Sequence, residues 1–286
     1  MTNVLNVDKM KTVIFPGGEQ VPALRQGTWR MGDDPGRRSE EIRALRTGID
    51  LGMNVIDTAE MYGDGRSERL VGEAIAGIRD RVFLISKVLP SHADRKGTKR
   101  ACEGSLRRLG VEALDLYLLH WMGRYPLSET VEAMLELQAE GKIRQWGVSN
   151  LDVLDMAGLF ALPGGNTCAP DEVLYNLTRR GPEYDLIPWC GERELPLIVY
   201  SPVEQGRLLN RPVLKEVARR HDATPAQVAL AWVLRLPGVI AIPKAATAEH
   251  VRENAGSLDI RLTPDDLHEL DRAFPAPARK VPLEVI

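Results

Sequence analysis

The chain has 286 residues, of which 44% are hydrophobic, 27% are charged and 5% are aromatic. This hydrophobic share excludes an intrinsically disordered chain, and no uninterrupted apolar run reaches the ~18 residues that a transmembrane helix needs. The formal net charge is -3, from 37 lysine and arginine residues against 40 aspartate and glutamate residues. That near-balance argues against a dedicated nucleic-acid-binding protein, which would present a strongly basic face.

The cysteines Cys102, Cys168 and Cys190 are odd in number and widely spaced, and no C-x-x-C motif is present. We therefore expect neither a disulfide framework nor a zinc site, and we predict reduced thiols in the cytoplasm. Residues 1–11 lack the apolar segment of a secretory signal, which favours the same compartment.

In chain order, residues 11–24 predict a short β-hairpin, and residues 24–29 predict the first strand of a larger sheet. Ile42, Leu45 and Ile49 recur at helical spacing, which predicts a first helix with Ser39 as its N-cap. Strands and helices then alternate. The eight predicted strands begin near residues 24, 54, 82, 114, 143, 172, 197 and 239. The predicted helices cover residues 39–51, 67–78, 98–109, 127–140, 151–160, 184–194, 212–220, 225–236, 248–256 and 264–273, the last capped by Thr263.

Alternating strands and helices indicate a parallel sheet. Eight such units suit a closed (β/α)8 barrel better than an open, doubly wound sheet, with the amphipathic helices as the outer ring. No Pro/Gly/Ser-rich linker interrupts the pattern, so we predict one domain over residues 1–286.

Polar residues follow three successive predicted strands. Asp57, Lys87 and His120 end the second, third and fourth strands, and Tyr62 comes just after Asp57. Each of them alone has an ordinary structural explanation. Together they would meet at the barrel mouth, where the active sites of such barrels lie. Burying an aspartate and a lysine there is costly unless the two form a pair.

The chemistry of these four residues is complementary. A tyrosine hydroxyl has a pKa of about 10, and we expect the nearby Lys87 to lower it, with Asp57 holding Lys87 in place. His120 is placed to donate a hydrogen bond to a substrate carbonyl oxygen. The group thus predicts a proton donor for carbonyl reduction, which also needs hydride from a nicotinamide or flavin cofactor.

Seven segments of the chain, in their order and spacing, resemble the aldo-keto reductases. They are residues 27–29, 54–63, 85–88, 115–121, 141–150, 200–202 and 242–244. Within that family, residues 172–177, 184–189 and 242–246 are most similar to prokaryotic reductases that include methylglyoxal reductases. The resemblance implies a barrel closed at its bottom by the N-terminal hairpin. It also implies a catalytic tetrad of Asp57, Tyr62, Lys87 and His120, with Tyr62 as the general acid for reduction.

The resemblance further implies NADP(H) bound across the barrel mouth without a Rossmann fold, and no G-x-G-x-x-G follows a strand in this sequence. Tyr200 would stack on the nicotinamide, and Ser149 and Asn150 would bind its carboxamide. Glu172 stands where glutamine is usual and can still accept from the carboxamide NH2. The implied cofactor-binding residues are Gly27, Thr28, Trp29, Asp57, Ser149, Asn150, Glu172, Tyr200, Ser201, Pro202, Val203, Gln205, Gly206, Leu208, Ile242, Pro243, Lys244, Ala245, Ala246, Thr247, His250, Glu253 and Asn254.

The choice between NADPH and NADH depends on the residues that would hold the 2′-phosphate. Lys244 and Thr247 match phosphate-binding positions of the family. Ala245 replaces the usual serine, and His250 replaces the usual arginine with its charged, bidentate fork. The resemblance therefore implies NADP(H), with NAD(H) as the alternative.

Trp29, Met61 and Trp121 are expected to line the substrate pocket. The loops after the fourth and seventh strands are short, which favours small aldehydes or ketoaldehydes as substrates. The implied partner is thus a small-molecule carbonyl compound, and the family resemblance implies a monomer. The charge balance and the lack of a long apolar run predict that the protein binds neither nucleic acid nor membrane.

Two other functions stay open at this point. Lys87 at a barrel strand end also suits a Schiff-base aldolase. A non-catalytic, cofactor-sensing subunit like the potassium-channel β subunits of the same superfamily is the other alternative. A metal site is not expected, because the five histidines, at positions 92, 120, 221, 250 and 268, show no ligand spacing.

Overall fold

Strands and helices alternate through residues 11–286, the part of the chain that this computed structural model describes. The strands are β1 (Thr12–Ile14), β2 (Gln20–Pro22), β3 (Gln26–Gly27), β4 (Val55–Asp57), β5 (Phe83–Val88), β6 (Leu114–Leu119), β7 (Ile143–Ser149), β8 (Asp171–Leu174), β9 (Leu197–Tyr200) and β10 (Val239–Ala241). The helices are α1 (Arg38–Asp50), α2 (Arg66–Ile75), α3 (Arg95–Leu109), α4 (Leu127–Ala139), α5 (Val153–Phe160), α6 (Leu186–Gly191), α7 (Pro212–Arg220), α8 (Pro225–Val233), α9 (Ala248–Gly256) and α10 (Pro264–Ala273). The expectation about a secretory signal falls largely on residues 1–10, which lie outside the described residues.

The eight parallel strands close into a barrel. They pair in chain order from β3 to β10. The first and last strands are then joined by bridges from Leu24 to Ala241 and from Gly27 to Lys244. Gly27 suits this closure because a Cβ there would lie 3.0 Å from the carbonyl oxygen of Ile242. The predicted (β/α)8 barrel is confirmed.

The antiparallel hairpin of β1 and β2 lies at the amino-terminal ends of the barrel strands. The ring of Phe15, just after β1, is 5.7 Å from the ring of Phe83, the first residue of β5. The guanidinium of Arg25 lies over both rings, at 5.2 and 5.9 Å from their centroids. The hairpin therefore closes the bottom of the barrel, as the sequence predicted.

Most predicted helix ends agree with the structure to within a few residues. Gly110, with φ +67°, ends α3, and Thr263 caps α10. The prediction that Ser39 caps the first helix is wrong. Ser39 lies inside α1, because a short 3₁₀ turn over Pro35–Arg37, capped by Asp34, precedes the helix and continues into it.

The barrel interior and the helix–sheet interface are apolar, and nearly every strand residue from β3 to β10 is buried. This is expected of parallel strands that are covered on both faces. The three cysteines are free and buried. No helix in the described part of the chain combines the length and the hydrophobicity needed to cross a membrane.

Candidate active site

Four predicted catalytic residues meet at the carboxyl end of the barrel. Asp57 is the last residue of β4, Lys87 lies one residue before the end of β5, and His120 directly follows β6. Tyr62 joins them from the loop after β4. The carboxyl ends of parallel barrel strands open on one mouth, which explains why residues so far apart in sequence converge there.

Asp57 and Lys87 form a buried ion pair. Nζ of Lys87 contacts Oδ1 of Asp57 and donates a 3.2 Å hydrogen bond to the backbone carbonyl of Thr58. Burial lowers the pKa of Lys87, but the carboxylates of Asp57 and Glu172 together outweigh burial and raise this pKa. Lys87 is therefore a charged ammonium at neutral pH.

Tyr62 lies beside this ammonium, with its ring centroid 5.4 Å from Nζ of Lys87. Burial raises the pKa of the Tyr62 hydroxyl, and Lys87 lowers it by less, so the net shift is upward. Lys87 thus acts in the predicted direction, but burial outweighs it and leaves the pKa of Tyr62 above its usual value. The reason is that a buried phenolate loses its hydration. Tyr62 is a neutral phenol with a proton to donate.

The ring of His120 is edge-on to the ring of Tyr62, with centroids 5.7 Å apart. Burial and the positive charge of Lys87 lower the pKa of His120 to about 3, so the ring is neutral. Nδ1 of His120 is buried and has no hydrogen-bond partner among residues 11–286. A neutral imidazole has one N–H donor, which suits hydrogen bonding to an uncharged carbonyl oxygen.

Asn150 connects the ends of three strands. Its Nδ2 donates to the backbone carbonyl of His120 at 3.1 Å and to Oγ of Ser149 at 3.0 Å, while its Oδ1 accepts from the hydroxyl of Tyr200 at 2.8 Å. Asn150 has a left-handed backbone with φ +64°, a conformation that asparagine tolerates better than most residues. The structure thus brings the predicted carboxamide-binding residues together.

Glu172, the second residue of β8, points into the same group. Its Oε1 lies 3.4 Å from Nζ of Lys87, and its carboxyl group also lies within hydrogen-bonding reach of the Asp57 carboxyl. Burial and the nearby Asp57 raise the pKa of Glu172 to about 8. The sequence predicted a cofactor contact at this position, and it did not predict the contact with Lys87.

Arg25 is a buried residue that the sequence analysis did not assign. Its side chain has no exposed surface, and Nη1 and Nη2 lack hydrogen-bond partners within residues 11–286. Burial lowers its pKa to about 9, while Asp57 and Glu172 act to raise it. The sequence did contain a signal for this residue, because a charged residue stands at the otherwise apolar start of the first barrel strand.

The three predicted pocket residues surround the site. Trp29 and Met61 remain 38% and 41% exposed although both are large and apolar. The ring of Trp121 is 4.7 Å from that of His120. An exposed apolar rim above buried polar groups is the usual form of a small-molecule site.

The loop after β9 contains six of the predicted cofactor-binding residues, namely Ser201, Pro202, Val203, Gln205, Gly206 and Leu208. Gln205 and Gly206 have left-handed backbones, with φ +54° and +87°. Asn176, just after β8, holds the loop by donating to the Ser201 carbonyl at 2.9 Å and to the Glu204 carboxylate at 2.8 Å. These roles of Asn176 and Glu204 were not predicted from the sequence, although a polar residue just after an apolar strand was a usable signal.

Lys244 and the amino-terminal end of α9 lie next to β3. Oγ1 of Thr247 caps α9 by accepting from the backbone N–H of His250 at 3.2 Å. Burial lowers the pKa of Lys244, as do the nearby Arg37 and Arg30, while the Glu41 carboxylate acts in the opposite direction. Within residues 11–286, no carboxylate forms an ion pair with Lys244, so its charge is available to a bound anion. The remaining predicted contacts lie around this connection and along α9: Ile242, Pro243, Ala245, Ala246, Glu253 and Asn254.

The described part of the chain contains no group of three or more side chains that could hold a metal ion.

Comparison with known proteins identifies the family. Residues 23–274 match the sequence model of the Aldo/keto reductase family. The chain is 52% identical over 283 residues to the methylglyoxal reductase YeaE of Escherichia coli K12, an alignment that covers 97% of this chain and 100% of that protein. Two crystal structures of aldo-keto reductases from Klebsiella pneumoniae, one in complex with NADPH and one with NADP and acetate, superpose with TM-scores of 0.95 at 53% identity. They cover 97% of this chain and 99% and 100% of theirs. The predicted resemblance is confirmed, and the chain belongs to the aldo/keto reductase family.

Proposed function

We propose that this enzyme uses NADPH to reduce small aldehydes and ketoaldehydes to alcohols. The observation that carries the proposal is a neutral phenol, Tyr62, held beside the charged Lys87 and the neutral His120 at the barrel mouth. The methylglyoxal reductase of E. coli supports the substrate class, and the NADPH-bound structure from K. pneumoniae supports the cofactor.

The residues at the mouth fit NADP(H). At one end, Tyr200 offers a partly exposed aromatic ring, and a carboxyl oxygen of Glu172 offers an acceptor to a carboxamide N–H. At the other end, Lys244 and the amino terminus of α9 suit a phosphate, which a free cation and a helix N-terminus both stabilise. When bound, NADPH supplies the hydride that reduces the carbonyl carbon.

Tyr62 holds the proton that the substrate oxygen needs. As the carbonyl carbon is reduced, the O–H bond of Tyr62 breaks and a new O–H bond forms on the substrate oxygen. The phenolate that remains lies beside the ammonium of Lys87, which stabilises it, and Asp57 keeps that ammonium in place. His120 orients the substrate oxygen through its N–H.

Methylglyoxal is a small, polar ketoaldehyde that suits a pocket rimmed by Trp29, Met61 and Trp121. The aromatic rim excludes water from the carbonyl carbon, and His120 and Tyr62 provide the two donors at the base. We assign the predicted pocket residues to this role.

The aldolase alternative is disfavoured by the state of Lys87. A Schiff base needs a neutral amine that the substrate can reach. The side chain of Lys87 has no exposed surface, contacts Asp57 and Glu172, and has a raised pKa. The geometry holds Lys87 as a cation rather than as a nucleophile.

We also propose that residues 1–286 form one domain and that the protein acts in the cytoplasm as a monomer. The single continuous family match over residues 23–274 supports one domain. Three buried, free cysteines are consistent with a reducing compartment.

The deciding experiment follows NADPH and NADH oxidation by the purified protein with methylglyoxal, alongside Tyr62→Phe. We expect aldehyde-dependent oxidation of NADPH, lowered by about 10²- to 10⁴-fold in the variant because its proton donor is gone. The variant should bind NADPH with unchanged affinity, measured by fluorescence quenching. If the native protein binds NADPH tightly but reduces no small carbonyl compound, the sensing-subunit alternative gains support.

A further inference from the structure

Lys87 is unusual in facing two carboxylates from different sides of the barrel. Asp57 approaches Nζ from β4, and Glu172 approaches it from β8, at 3.4 Å. The side chains of Lys87 and Glu172 are 0% and 3% exposed, so water does not screen the contact. An ammonium already paired with Asp57 does not need a second anion for its own neutralisation, so the placement of a second carboxyl group beside it calls for another explanation.

The surroundings of Glu172 show what its charge acts on. The titratable groups that face it are Asp57, Lys87 and Tyr62 at the catalytic centre, Tyr200 at the mouth and Arg25 below. With both carboxylates ionised, the two negative charges balance the two positive charges of Lys87 and Arg25. Protonation of Glu172 leaves one uncompensated positive charge close to Tyr62.

We propose that Glu172 is a positioning residue of the reaction, a second carboxylate on Lys87 whose ionisation sets how readily Tyr62 gives up its proton. The inference rests on the proposed reduction by Tyr62. When Glu172 is ionised, it offsets Lys87, and Tyr62 is a weaker acid. When Glu172 is protonated, the full charge of Lys87 favours the phenolate, and Tyr62 is a stronger acid.

The direction of the pH effect follows from this coupling. Burial and Asp57 raise the pKa of Glu172 to about 8, so the carboxyl changes charge near neutral pH. As the pH rises through this range, Glu172 loses its proton and Tyr62 becomes a poorer proton donor. Carbonyl reduction therefore slows with rising pH, before Tyr62 itself ionises, because the pKa of Tyr62 lies above its usual value.

The preceding residue provides a matched control. Asp171 is also buried, and burial raises its pKa to about 8 as well. Successive strand residues point to opposite faces, so Asp171 faces away from the barrel interior that Glu172 enters. Asp171 forms no ion pair with Lys87 within the described residues. Asp171→Asn and Glu172→Gln thus each replace one buried carboxyl by an amide of the same shape, but only the second acts at Lys87.

The experiment measures kcat for methylglyoxal reduction at saturating NADPH across neutral and alkaline pH. In the native enzyme and in Asp171→Asn, we expect kcat to fall by about 3- to 10-fold as the pH rises through the range in which Glu172 ionises. A change of this size corresponds to a rise of up to about one unit in the pKa of Tyr62. In Glu172→Gln, we expect kcat to stay constant over this pH range. The same pH dependence of kcat in the native enzyme and in Glu172→Gln would overturn the inference. So would a fall in kcat that disappears in Asp171→Asn but not in Glu172→Gln.

An infrared titration measures the protonation of Glu172 directly, in the absence of catalysis. In the protein without substrate, the band of a protonated carboxyl should disappear as the pH rises through the neutral range. Because burial raises the pKa of Asp171 to about 8 as well, the band of Asp171 should remain in Glu172→Gln and the band of Glu172 should remain in Asp171→Asn. No such band should remain when both substitutions are combined. Absence of any such band in Asp171→Asn overturns the inference even if Glu172→Gln fails to fold. If no carbonyl compound is reduced at any pH but the band is present, the proposed function fails while the ionisation of Glu172 stands.

Discussion

The hydroxyl of Tyr200 donates a 2.8 Å hydrogen bond to the amide oxygen of Asn150. Because Asn150 in turn donates to the backbone carbonyl of His120, this bond connects the ring of Tyr200 at the end of β9 with the proposed catalytic histidine after β6. Tyr200 thus has two separate roles. Its ring is the proposed contact for the nicotinamide, and its hydroxyl orients the amide of Asn150.

Tyr200→Phe should separate these two functions. The variant keeps the ring but frees the Asn150 amide, which costs about 0.5–1.5 kcal/mol for one hydrogen bond, or about 2- to 13-fold in the Kd for NADPH. Tyr200→Ala also removes the ring and should bind more weakly still. Quenching of protein fluorescence by NADPH measures both. Equal affinities of the Phe and Ala variants would show that the ring makes no contribution.

The phosphate end predicts how cofactor preference can be changed. Lys244→Met should raise the Kd for NADPH by about 10- to 100-fold, the effect of losing a charge-assisted hydrogen bond, and leave the Kd for NADH nearly unchanged. His250→Arg should lower the Kd for NADPH by about 3- to 10-fold, because it supplies a permanent guanidinium near Thr247. His268→Arg, an exposed histidine on α10, is the control for net charge. A uniform response of both cofactors to Lys244→Met would place Lys244 away from the 2′-phosphate.

His120 should make the fold sensitive to acid. Its pKa is about 3 in the folded protein, below the 6.5 of an unperturbed histidine. Between these values the unfolded chain binds a proton that the folded protein does not, so the free energy of unfolding falls as the pH falls through this window. At about pH 5 the loss amounts to about 2 kcal/mol.

His120→Asn removes this contribution. Between about pH 7.5 and about pH 5, the variant should lose about 1–2 kcal/mol less of its unfolding free energy than the native protein does, as measured by urea denaturation. His268→Asn, at an exposed position, should behave as the native protein. The same acid sensitivity in His120→Asn as in the native protein would mean that His120 is protonated in the folded state at higher pH than its burial indicates.

Two helical glycines should respond to alanine in opposite directions. At Gly72 of α2, a Cβ would lie 2.5 Å from the carbonyl oxygen of Leu109, so we expect Gly72→Ala to destabilise the fold by about 1–3 kcal/mol. At Gly158 of α5, an added Cβ would have no other atom within 4 Å, so Gly158→Ala should stabilise the fold by about 0.5–1 kcal/mol through helix propensity. Thermal denaturation measures both, and stabilisation by Gly72→Ala would show that α2 and α3 pack less closely than this distance indicates.

Much of this fold follows from local sequence. The alternation of apolar strands with amphipathic helices is a short-range pattern, and it predicted every barrel strand to within a few residues. Capping at Thr263 and the αL glycine at Gly110 depend only on neighbouring backbone groups, so they too could be predicted. The position of Ser39 inside α1 could not be predicted in this way. Whether a serine caps a helix depends on where the helix begins, and the turn over Pro35–Arg37 places that start before Ser39.

The proposed catalytic residues could be named from sequence because barrel topology places strand ends at one mouth, and the family resemblance implied their roles. The pKa values and charge states of these residues could not be predicted from the sequence. The pKa of Tyr62 depends on the balance of burial against Lys87, and that balance depends on how many atoms surround the ring. The sequence by itself determined the barrel, the family and which side chains gather at the site. Only the tertiary structure decided that Glu172 reaches Lys87 and that Arg25 lies beneath them, because charge coupling depends on distances across the barrel between residues from separate strands.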